Sequence, residues 1–116
     1  MITLETLQSF FSDTRQKNTS TSQPWSIDEV CRWSYFFVDE DRERLVPVAR
    51  HLESLGYAFI GIVDPDDADE DPFFYLQLDR IELHTPASLH ARVLELYGIA
   101  EQFGIADYDG MNVGPA

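Results

Sequence analysis

Three groups of residues have types and spacing suited to chemistry. The first is the run Asp64-Pro65-Asp66-Asp67-Ala68-Asp69-Glu70-Asp71, six carboxylates in eight positions. Asp67, Asp69 and Asp71 alternate as calcium ligands do, but an EF-hand loop needs glycine at its sixth position and glutamate at its twelfth. Pro72 and Leu78 stand there instead. The run therefore reads as a solvated hairpin loop that offers Asp64, Asp66, Asp67, Asp69, Glu70 and Asp71 to a basic partner. The second group is His51, His84 and His90, which fall on separate elements and make no metal set. His84, beside a helix start, reads as a structural hydrogen-bonding residue. The third is Asp107-Tyr108-Asp109-Gly110, a terminal edge strand with a glycine-permitted bulge. Asp107, Tyr108 and Asp109 are expected to form an exposed amphipathic recognition edge there.

Signals for catalysis are missing. Cys31 has no histidine near it in sequence, and no G-x-S-x-G elbow or glycine-rich phosphate loop occurs. Paired carboxylates carry no weight, because 21 acids in 116 residues make chance neighbours everywhere. No catalytic residue, metal or cofactor is expected.

The composition points the same way. Eight basic against 21 acidic residues give a net charge of −13, and hydrophobic residues at 44% are enough to build a core. Such a field repels phosphate backbones and anionic membranes, excluding direct nucleic-acid and membrane binding, and attracts a basic protein surface. Sheet aromatics of the kind that stack on RNA would need a basic frame around Phe36, Phe59 or Phe74, and it is missing. One cysteine rules out an internal disulfide and fits a reducing cytoplasm. The segment Met1-Ile2-Thr3-Leu4-Glu5 has no basic n-region, so no signal peptide is expected.

The elements that must position these residues follow from periodicity. Leu4, Leu7, Phe10 and Phe11 mark an amphipathic helix from Thr3 to about Gln16, and the apolar-free stretch Lys17 to Pro24 is a linker. Ser26 and Glu29 have capping-box spacing, with Trp25 and Val30 as a staple, which predicts a short helix from Ile27 to Arg32. Residues 1–32 are read as a helical extension and 33–116 as the main domain. Trp33 to Val38 is a strand. Leu45, Val48, Ala49, Leu52 and Leu55 form a helical stripe ending at Gly56, and Pro47 implies either a helix start near Val46 or an irregular first turn. Tyr57 to Val63 is the second strand. In the third, Phe73 to His84, the apolar phase slips from Leu76 and Leu78 to Ile81 and Leu83, which predicts a bulge or strong twist near Asp79 and Arg80. Thr85-Pro86 starts a helix that Gly104 stops, and Asp107 to Val113 is the last strand.

The order β-α-β-β-α-β predicts an α+β, ferredoxin-like antiparallel sheet with both helices on one face. The first two strands are apolar on both faces. The N-terminal helix, or a second subunit in a homodimer, is therefore expected to cover the other face, and removing the first 24 residues should expose apolar surface.

The segment from His84-Thr85-Pro86 through Leu89, Glu95-Leu96-Tyr97 and Ala100-Glu101-Gln102-Phe103-Gly104 to Tyr108-Asp109-Gly110 resembles the regulator of ribonuclease activity B (RraB) family. Leu55-Gly56-Tyr57 and Tyr35-Phe36-Phe37 also look like its earlier elements, so the resemblance spans roughly Trp33 to Pro115. It implies a small acidic bacterial protein without catalytic activity that binds ribonuclease E on its non-catalytic scaffold region and inhibits RNA processing. Members often carry tryptophan after Tyr-Asp-Gly, where this chain has Met111. Two other classes fit the acidity and size: an immunity-type inhibitor of a basic toxin, and a small-molecule sensory module.

Overall fold

A computed structural model describes residues 2–18, 25–65 and 72–116. The order is α1 (Leu4–Asn18), β1 (Cys31–Asp39), α2 (Arg42–Ser54), β2 (Ala58–Val63), β3 (Phe74–Glu82), α3 (Pro86–Phe103) and β4 (Asp107–Pro115). The four strands make one antiparallel sheet in the order β2-β3-β1-β4, so β2 and β4 are its edges.

Strand alternation divides the aromatic-rich β1 cleanly. Cys31, Trp33, Tyr35 and Phe37 are buried in the core cluster, together with Leu76 and Leu78 of β3 and Tyr108 of β4. The stripes of α2 (Leu45, Val48, Ala49, Leu52) and α3 (Leu89, Val93, Leu96, Ile99, Ala100) close over that face.

The N-terminal helix joins the same side, which corrects the expectation that it covers the opposite one. Leu7 and Phe11 are buried in the cluster, and the Phe11 ring stacks on Trp33 at 6.0 Å between centroids. Tyr97 of α3 accepts a hydrogen bond from the Ile2 amide at 3.4 Å. Burying two such side chains is worth about 2–3 kcal/mol each before ordering costs. On the other face the Arg32–Asp79 pair at 3.9 Å lines a shallow cleft with exposed Ile60 and Ile81, and no described element covers it.

Residues 25–30 do not form the helix that their capping spacing predicts. Asp28 N–H donates to Ser26 Oγ and Glu29 N–H to the Ser26 carbonyl, which closes a single turn, and β1 begins at Cys31. Val30 is exposed rather than stapled, while Trp25 packs against the core. Four residues before a strand are too few to repay helix nucleation. Asn18 Nδ2 donates to the Trp25 carbonyl, and Arg15 grips Asp28 at 2.6 and 2.8 Å, so the turn is tied back to α1.

The helix does not start near Val46: α2 begins at Arg42 and carries Pro47 inside it, five residues on. The Asp41 carboxylate caps that start by accepting from the Glu43 amide. At the other helix, Thr85 and Ser88 form a reciprocal capping box with Pro86 in the first turn, and Gly104 ends it at φ 68°, a conformation glycine adopts without strain.

Of the bulge or strong twist expected near Asp79 and Arg80, the bulge does not occur. The β1–β3 register runs unbroken from Cys31 opposite Glu82 to Asp39 opposite Phe74. Irregularities lie instead in β2, between Phe59 and Gly61, and in β4, where Gly110 at φ 145° lets the register shift opposite Phe36 and Phe37. The apparent phase slip has a different cause. Ile81 and Leu83 are each 56% exposed, and the inward phase continues past Leu78 as Arg80, Glu82 and His84. The core at that end is polar.

Candidate functional site

The sheet register gathers acidic groups from distant parts of the chain at one end. Val38 lies opposite Tyr75 on one side and Asp107 on the other, and Val63 lies opposite Tyr75, so these four form one row across the sheet. Exposed Asp64 follows Val63, exposed Glu40 and Asp41 follow β1, and exposed Asp107 begins β4. Asp109, also exposed, lies two residues further along that edge. Asp66, Asp67, Asp69, Glu70 and Asp71 lie outside the described residues, and Pro65 and Pro72, which bracket them in sequence, belong to this end. Asp41 shares its charge with Arg44 at 3.8 Å. From sequence Asp39 to Asp41 read only as N-cap candidates for the next helix, a role that Asp41 fills, and not as part of this acidic end, because adjacency across the sheet is a property of register rather than of spacing along the chain.

Two residues at this end are supports rather than surface. Asp39 is buried, and its carboxylate accepts from the Asp41 amide at 2.9 Å and the Ala106 amide at 2.8 Å, which pins the start of α2 to the start of β4. Tyr108 is 1% exposed. Its ring meets Phe37 at 5.3 Å and Tyr97 at 5.2 Å, and its hydroxyl donates to Met111 Sδ at 3.5 Å. Burial pushes the phenol well above its ordinary range. The exposed edge is therefore acidic without being aromatic, since the inward phase of β4 takes Tyr108.

A second polar constellation lies at the opposite end, under the start of α3. Glu82 Oε2 accepts from the Tyr35 hydroxyl at 2.6 Å and from His84 Nε2 at 2.8 Å. Its Oε1 accepts from Arg92 at 2.9 Å and lies 3.4 Å from Arg80 Nε. Burial alone pushes the Glu82 carboxyl up. The hydrogen bonds from His84 and Tyr35 and the charges of His84 and Arg92 outweigh it and hold the pKa at about 2. Tyr35 is pushed far above the ordinary phenol range by its burial and by Glu82. Arg80 and Arg92 lie over the Tyr57 ring at 4.9 and 5.6 Å.

His84 Nδ1 lies 3.0 Å from Ser88 Oγ, so serine, histidine and glutamate stand in a line that resembles a catalytic triad. The geometry serves another purpose. Ser88 Oγ accepts the Thr85 amide at 2.8 Å and contacts the Thr85 carbonyl at 3.2 Å, so it is held in the helix cap. His84 is buried against Trp33, edge to face at 5.3 Å. This array fastens α3 to β1 and β3, as expected for a structural His84. Sequence alone did not find its Glu82, Arg92 and Tyr35 members, although a period of two running through Leu76, Leu78, Arg80, Glu82 and His84 carried the signal.

His51 packs on Phe103 at 5.4 Å, far from this array in the sequence, and Cys31 is buried. Among the described residues no group of three or more histidine, cysteine or acidic side chains is placed to hold a metal. No described helix is long and apolar enough to cross a membrane.

None of the curated proteins matches the chain. A family model described as regulator of ribonuclease activity B matches residues 15–113, from the last turn of α1 to Val113 within β4.

Proposed function

Because the chain belongs to the family of regulators of ribonuclease activity B, a family of non-catalytic regulators, we propose that it is an acidic cytoplasmic inhibitor that binds ribonuclease E and slows RNA processing. The family match carries this reading. The scaffold is read as ferredoxin-like, and its acidic end as the docking surface. Among the described residues Asp64, Glu40, Asp107 and Asp109 there have no ion-pair partner, and the acidic run Asp66, Asp67, Asp69, Glu70 and Asp71, which follows Asp64 in sequence, is read as part of the same docking surface. These groups meet a basic segment of the enzyme's non-catalytic scaffold region. Long-range attraction speeds the encounter, and short-range contacts supply the residence time. Tyr108 acts from beneath by holding the edge strand in place.

The test is calorimetric binding to that scaffold region at low and moderate salt. Saturable binding that weakens with salt is expected, because exposed charges separated by more than the Debye length of about 8–10 Å are screened. Converting Asp64, Asp107 and Asp109 together to asparagine should lower the association rate several-fold and flatten its salt dependence. Neutralising Asp66, Asp67 and Asp69 should do the same. Absence of saturable binding at both salts would remove ribonuclease E as the partner.

A further inference from the structure

Against a net charge of −13, most described arginines are committed. Arg15 pairs with Asp28, Arg32 with Asp79, Arg44 with Asp41, and Arg80 and Arg92 with Glu82. Among the described residues, Arg42 and Arg50 have no carboxylate within ion-pair reach. Both are exposed, and both line one groove of about 170 Å³ between α2 and β2. Its apolar lining is Val46 and Ala49 from the helix and Phe59 and Ile62 from the strand, with Glu53 at the far end. Phe59 is a large apolar side chain left 43% exposed. The strand beside the groove is an edge, so its outward backbone donors and acceptors have no strand partner among the described residues.

We propose that this groove takes an extended acidic segment of a partner protein as an added strand on β2. Three features converge on that occupant. An open edge supplies the backbone ladder, the Phe59 and Ile62 floor takes an apolar side chain, and two free guanidinium groups take carboxylates. The spacing sets the motif. Arg42 and Arg50 are eight residues apart on a helix, about 12 Å along its axis, which an extended strand covers in about four residues at roughly 3.3 Å each. The segment therefore reads acid-x-apolar-x-acid, with all three side chains on the strand face turned to the groove. Glu53 beyond Arg50 repels a third acid and fixes the register. This surface selects the opposite charge from the acidic end of the sheet, so it stands whether or not ribonuclease E is the partner.

The test titrates the full chain with a blocked heptapeptide, Thr-Glu-Thr-Leu-Thr-Glu-Thr, and follows amide shifts by NMR. The control peptide has lysine in place of both glutamates. Saturable binding is expected, with shifts confined to residues 42–63. It should weaken at least tenfold in Arg50→Glu and be lost with the lysine peptide. Arg50 is exposed, so this variant keeps the amide spectrum outside α2. Absence of saturation, equal binding of the lysine peptide, or unchanged affinity in Arg50→Glu would overturn the proposal. So would a dimer of the free protein that Arg50→Glu dissociates, because the groove would then be filled by a second copy.

Discussion

Glu82 gathers Tyr35 of β1, His84 just before α3 and Arg92 within α3 onto one carboxylate. Its worth depends on pH in a direction that can be worked out. The folded pKa of about 2 lies below the ordinary 4.5, so the unfolded chain binds the proton more readily. The stabilisation is then fully present above pH 4.5 and is lost as pH falls toward 2. Glu82→Gln removes the nearer of the two carboxylates on Arg92, leaving Glu95 at 3.3 Å as its partner, and should cost about 2 kcal/mol at neutral pH. Urea denaturation of both proteins from pH 7 to pH 2 tests this. The difference should shrink below pH 4.5, and a constant difference would show that the charge is not what matters. The members of this array other than His84 escaped the sequence reading for a physical reason. Glu82 and Arg92 look like ordinary surface charges until the strand phase turns one inward and the helix brings the other over it.

At the scale of elements, what local chemistry determines was legible and what register determines was not. Thr85, Pro86 and Gly104 announced both ends of α3, since caps depend on a few adjacent residues. The bulge at Gly110 was equally local. It places a residue at φ 145° with open space where a Cβ would stand, so the penalty of a side chain there is backbone strain rather than collision. Gly110→Val should therefore destabilise by about 2 kcal/mol and slacken the β1–β4 pairing, which amide exchange would show as faster exchange in residues 107–115. Exchange rates like those of the parent would mean that the strand accepts an ordinary residue. The capping spacing at Ser26 misled because a serine hydroxyl that accepts a following amide, here that of Asp28, serves an isolated turn as well as a helix start, and the pull of β1 starting at Cys31 decides between them. Converging Asp64, Glu40 and Asp107 on one end of the sheet needed strand order as well as strand identity, and spacing along the chain carries no record of that.

Among the described residues three helices share one side of the sheet, and the face with Arg32, Ile60, Asp79 and Ile81 is left without a described cover. The helical extension is thus part of the core rather than a lid over the second face. Phe11→Ala should cost about 3 kcal/mol if α1 unfolds together with the sheet. The cost would be much smaller, and the melting transition would split, if α1 releases first. Thermal melts followed by circular dichroism, with a dye that reports exposed apolar surface, separate the two. Removing residues 1–24 should expose Trp33 and the flank of α3, so dye binding should rise on the helical side. Dye binding equal to that of the full chain would show that α1 does not shield that side.

The seat of Trp33 has an optical consequence. Its indole lies between the Phe11 ring and the edge of His84, fully withdrawn from water, so its ultraviolet emission belongs at the blue end of the tryptophan range. Lifting α1 hydrates that indole and moves the emission to the red, while loss of the sheet would be registered separately by far-ultraviolet dichroism. With Trp25→Phe leaving a lone tryptophan, excited at a wavelength the five tyrosines do not absorb, the emission colour becomes a continuous gauge of whether the first helix is seated.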